Sequence, residues 1–142
     1  VAPQLPQTVE APPSLGAQDL LAQAQQLRGE GSALYKRGDI AAARASYERA
    51  MALLWGQGQL WEGAAATDDR SPAGCLRAAA LALLTNIAQC HLRAEPPAAD
   101  KALAFCEEAL RMDPVNVKAL FRKGRALVEL REFVQAFAVL AQ

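Results

Sequence analysis

Apolar residues recur at three- and four-residue intervals along most of the chain, the spacing of one face of an α-helix. From Ala17 to Lys36 that face is Leu20, Leu21, Ala24, Leu27, Gly31 and Leu34. Arg37-Gly38-Asp39 then reads as a stop and a start, with Gly38 suited to a left-handed C-terminal cap and Asp39 to an N-cap. Ile40 to Leu54 is a second helix, with Ala43, Tyr47, Ala50 and Leu54 along one side. Ser71-Pro72 opens a third helix that runs to about Ala94, where Glu95-Pro96-Pro97 ends it. Asp100 to Met112 is a fourth, closed by Asp113-Pro114. Asn116 caps a fifth, Val117 to about Leu130, and Glu132 begins a sixth that reaches the chain end. Short connections pair these six helices into three αα-hairpins.

The second helices align with one another. Ala43, Tyr47 and Ala50 match Ala102, Cys106 and Ala109, then Ala136 and Leu140. Ala102 and Ala136 are 34 residues apart; Gly31 and Gly124 each stand twelve residues before the alanine of their own hairpin, and Pro114 stands five after Ala109. Small residues mark where two helices cross closely, and the larger residue four positions on fills the groove beside that contact. A single hairpin cannot bury its apolar face, so such units stack on their neighbours. Ala43 to Ala102 is 59 residues, one period plus an insertion of 25, which falls around Gly56 to Gly74 and the long third helix.

A 34-residue period with these columns identifies tetratricopeptide repeats (TPR) and predicts an all-α fold, three helix-turn-helix repeats in a short right-handed α-solenoid. The segments Leu84-Thr85-Asn86-Ile87-Ala88-Gln89-Cys90-His91-Leu92 and Val117-Lys118-Ala119-Leu120-Phe121-Arg122-Lys123-Gly124 resemble the TPR domains of immunophilin (FKBP-type) co-chaperones. The resemblance covers roughly Leu20 to Gln142. In that family the domain follows a peptidyl-prolyl isomerase domain and a long connection separates the first two repeats. The organisation expected here is a Pro-rich arm over residues 1–16 (Pro3, Pro6, Pro12, Pro13), a first repeat over about 24–56, an insertion over about 57–74, and repeats over about 75–116 and 117–142.

The resemblance also implies a site. The chaperone-binding branch of the family lines its concave groove with a carboxylate clamp, which grips the C-terminal carboxylate and acidic side chains of a heat-shock chaperone peptide. Carried over position by position, the clamp is Arg28 and Ser32 from the first repeat, Asn86 from the second, and Lys118 and Arg122 from the third. Arg28/Ser32 and Lys118/Arg122 are i,i+4 pairs, so each pair shares one helix face. Arg28 stands where the family usually has lysine, and Ser32 where it usually has asparagine.

Composition narrows the rest. Alanine is abundant, aromatics are 6% of the chain, and the formal charge is zero, with 15 basic and 15 acidic residues. A balanced charge gives no basic excess for nucleic acid, so charged recognition has to be local. Cys75, Cys90 and Cys106 form neither a disulfide framework nor a zinc pattern, which fits a reducing, cytoplasmic setting; removal of an upstream targeting segment would instead allow an organelle. The longest apolar run, Ala78 to Leu84, is well short of the ~20 residues of a membrane span. His91, the one histidine, has no carboxylate or serine arrangement to make a catalytic set, and no metal or other cofactor site is expected. Cys90 and Cys106 read as core thiols, Asp68-Asp69-Arg70 as a charged loop, and Trp55 and Trp61 as flanks of the insertion. The function expected is non-enzymatic protein binding, as an adaptor or co-chaperone module. The alternatives are a structural subunit using the scaffold and the Pro-rich arm, and the TPR part of an isomerase whose catalytic domain lies outside the chain.

Overall fold

A computed structural model describes residues 16–56, 71–131 and 133–141. It contains helices α1 (Ala17–Lys36), α2 (Ile40–Trp55), α3 (Pro72–Arg93), α4 (Ala99–Met112), α5 (Val117–Glu129) and α6 (Phe133–Leu140). Among the described residues there is no strand. Each helix begins and ends within a residue or two of where its apolar spacing and punctuation place it. The Pro-rich arm, Trp61 and Asp68-Asp69-Arg70 lie outside the described residues.

The chain divides into two compact units, with the boundary between Leu83 and Leu84 inside α3. In the first unit α1 and α2 form a hairpin. Gly38 adopts φ +89, the left-handed backbone expected of a glycine just past a helix end. Asp39 precedes α2 as expected, but its side chain makes no capping bond; it lies 3.7 Å from the Arg37 guanidinium instead. Leu20, Ala24, Ala43, Tyr47, Ala50, Met51 and Leu54 are buried, and Gly31 sits against Tyr47 and the Ala43 carbonyl. At the start of α3, the Ser71 hydroxyl accepts from the Gly74 N–H at 2.9 Å, the N-cap its sequence announces.

In the second unit the C-terminal part of α3 pairs with α4, and α5 with α6. The His91 ring stacks on Phe105 with centroids 5.5 Å apart. Asn116 caps α5, its side chain accepting from the Ala119 N–H at 2.9 Å. Leu92, Ala99 and Ala102 of the α3/α4 hairpin close on Ala126 of α5, with Leu103 packed alongside. The α3–α4 connection has five residues, against three in the other two hairpins. Allowing for that, the small residue opposite Ala102 is Ala88, fully buried, in the place of Gly31 and Gly124. The volumes compensate across each crossing: glycine faces Tyr47 and Leu140, whereas Ala88 shares its register with the smaller Cys106.

The same register explains where apolar surface remains. Leu92, four residues after Ala88, is 5% exposed because α5 lies on it; Val128, four after Gly124, is 44% exposed. Phe121 and Phe137 are 56% and 77% exposed on that hairpin. Thus α5 and α6 display the face that α3 and α4 bury. One expectation needs revision. Although no single apolar run is long, Ala73–Arg93 as a whole has the length and composition of a membrane-crossing helix, because its small and apolar residues are only sparsely interrupted. Half of that stretch is buried within the fold, as in a core helix.

Candidate functional site

The five clamp positions divide between the two units. Arg28 and Ser32 lie on α1 in the first; Asn86 on α3, with Lys118 and Arg122 on α5, lie in the second. Arg28 is exposed and Ser32 half-buried, one turn further along. The Ser32 hydroxyl lies 3.0 Å from that of Tyr47, which is otherwise buried against Gly31. Serine is therefore tied into the hairpin's own packing, a role its sequence position does not announce.

Helix α5 has three sectors. Ala119, Gly124, Ala126 and Leu127 face inward and are buried. At 3.6 residues per turn, Val117, Phe121 and Val128 fall within roughly 40° of one another and make an apolar strip. Lys118, Arg122 and Arg125 occupy the next sector, with Glu129 the single acid of the helix. Lys118 is exposed and Arg122 half-buried. Arg122 reaches α3: its Nε donates to Oε1 of Gln89 at 3.2 Å. Gln89 stands three residues after the half-buried Asn86, so the two polar side chains share a side of α3. Sequence reasoning missed Gln89. The signal was its i,i+3 spacing from Asn86, but a single glutamine on a helix face has no distinctive pattern of its own.

Among the described residues no group of three or more histidine, cysteine or acidic side chains is placed to hold a metal ion. His91 is buried against Phe105, in a packing position. All three cysteines are free thiols; Cys90 and Cys106 are buried and Cys75 is partly exposed. Burial pushes the Cys106 thiol from its ordinary value near 9 up to about 12, against the lowering pull of Arg122 and Lys123. Thiolate is the reactive form, so Cys106 is expected to resist alkylation at pH 8 to 9 in the native protein. Mass spectrometry after iodoacetamide should find Cys75 modified first, and Cys106 only when denaturant is added; equal labelling of the two would contradict the burial.

No family model matches the chain. Over 124 residues it is 28% identical to the human (Homo sapiens) peptidyl-prolyl cis-trans isomerase FKBP4, covering 87% of this chain and 25% of that protein. It is 33% identical over 114 residues to the inactive peptidyl-prolyl cis-trans isomerase FKBP6 of Rattus norvegicus, covering 79% of this chain and 32% of that protein. The chain thus spans between a quarter and a third of these relatives. Two solved structures share its fold, each with a TM-score of 0.73. One is the C-terminal TPR-containing domain of a Plasmodium falciparum FK506-binding protein, at 21% identity and covering 90% of this chain and 81% of that one. The other is a multi-domain immunophilin from Arabidopsis thaliana, at 23% identity and covering 95% of this chain and 51% of that one.

Proposed function

Since the chain is a tetratricopeptide-repeat domain resembling those of FKBP-type immunophilin co-chaperones, we propose that its protein-interaction role is to bind the acidic, free C-terminal end of a heat-shock chaperone. The groups assigned to the ligand are Arg28, Ser32, Asn86, Lys118 and Arg122. The observation that carries this reading is the basic sector of α5. Lys118 and Arg122 stand one turn apart on one face, and Arg122 is bonded to the helix that also carries Asn86. Two cations and an amide donor suit a carboxylate, because charge-assisted hydrogen bonds are about twice as strong as neutral ones. Arg28 and Ser32 add a cation and a hydroxyl from the first repeat. Arginine in place of lysine keeps the charge and presents a planar set of donors.

Titration calorimetry with an acidic pentapeptide tests the reading directly. The free acid is expected to bind at micromolar affinity, and its C-terminal amide at least about ten-fold more weakly, the loss of one charge-assisted contact. Equal affinity for the two peptides would end the clamp reading. It would favour the second one, an assembly subunit, which the exposed Val117, Phe121, Val128, Phe137 and Leu140 support. The isomerase activity named for FKBP4 belongs to a protein about four times as long as the matched segment. This chain is read as a binding part.

A further inference from the structure

Within the second unit a polar contact links two helices at the proposed site: Arg122 Nε on α5 donates to Gln89 Oε1 on α3. We propose that Gln89 is a positioning residue, holding the Arg122 guanidinium in the orientation that meets a ligand carboxylate. This rests on the carboxylate-binding reading above. An arginine side chain has many rotamers, and fixing them at the moment of binding weakens affinity. A bond at Nε sets the plane of the guanidinium beforehand. Arg122 then meets a carboxylate with its plane already set.

The chemistry of residue 89 matters as much as its reach. Glutamine accepts the Nε–H without bringing a charge, so the field of Lys118 and Arg122 stays available to an anion. A glutamate there would accept the same bond and neutralise part of that field. A methionine of similar length would fill the space and offer only a weak acceptor. These three side chains separate holding from charge.

The experiment uses the full chain, with an acidic pentapeptide as free acid and as amide, titrated into the native protein, Gln89→Met and Gln89→Glu. Gln89→Met is expected to weaken the free acid about two- to ten-fold, the cost of ordering one long side chain on binding, and to leave the amide unchanged. Gln89→Glu is expected to weaken the free acid more than Gln89→Met does. In 15N spectra of the unliganded protein, the Arg122 Nε–H signal should be protected from exchange in the native chain and lose that protection in Gln89→Met. Gln89→Asn, one methylene too short to reach, gives the same reading should methionine unsettle the helix pair.

The outcomes separate cleanly. A native protein that prefers the free acid, with Gln89→Met and Gln89→Asn keeping that preference undiminished, overturns the role of Gln89 and leaves the clamp standing. A native protein indifferent to the terminal charge overturns both. An Arg122 Nε–H equally protected in native protein and Gln89→Met overturns the positioning role on its own.

Discussion

Gly31→Val is expected to destabilise the first hairpin by about 3 kcal/mol, the upper part of the range for overpacking a close contact. A Cβ at Gly31 would stand 2.8 Å and 2.9 Å from two ring carbons of Tyr47, and 3.2 Å from the Ala43 carbonyl oxygen. None of these can yield easily. The carbonyl is helix backbone, and the ring is 4% exposed, with its hydroxyl bonded to Ser32. Gly31→Ala meets the same ring while gaining the ~1 kcal/mol of helix propensity that glycine lacks, so its net cost is smaller, about 1 kcal/mol. Gly124→Ala provides the contrast. Its Cβ would meet Leu140, which is 49% exposed and is free to turn outward, and the propensity gain should leave stability near or above the native value. Chemical denaturation of the three variants checks the order. Equal losses at Gly31 and Gly124 would show that the side chain opposite, and its freedom to move, does not set the cost.

Reversing two charges on α5 should have the largest effect on binding. In Lys118→Glu/Arg122→Glu, two attractive contacts to a carboxylate are replaced by two repulsive ones; the loss of the free-acid peptide is expected to exceed about 100-fold. Stability should change little through Lys118, which is exposed, and somewhat more through Arg122, which is half-buried and bonded to Gln89. Raising salt should weaken the native complex in the same direction, since exposed charges are screened. Melting temperature and affinity measured side by side test this. Tight binding retained by the doubly reversed chain would remove α5 from the ligand site.

Much of the fold was legible because helix starts and stops have local chemistry. Ser71, Asn116, Gly38 and the Asp113-Pro114 pair each act over three or four residues, so their meaning survives without knowledge of the tertiary fold. The crossings in the first and third hairpins were legible from the twelve-residue spacing of glycine and alanine. The middle one was not, because the five-residue connection around Glu95-Pro96-Pro97 shifts its small residue to Ala88, and an alanine among many alanines carries no signal. The candidate site at Arg28, Ser32, Asn86, Lys118 and Arg122 is an expectation that rests on resemblance alone. Its internal bonds were not, because a side-chain contact between helices 33 residues apart in sequence follows from packing that no local pattern records. The same holds for Asp39, whose residue type suits a cap but whose side chain lies toward Arg37.

The Tyr47–Ser32 pair has a further consequence, in the direction a proton points. A serine hydroxyl has one hydrogen to give and lone pairs to receive, and so has a tyrosine. If the phenol gives its hydrogen to serine, serine keeps its own for an incoming anion; if serine gives first, it meets that anion with lone pairs and repels it. In the proposed clamp, a ligand anion at Ser32 would therefore select the first arrangement, and a buried aromatic on α2 would become a silent participant in recognition by α1.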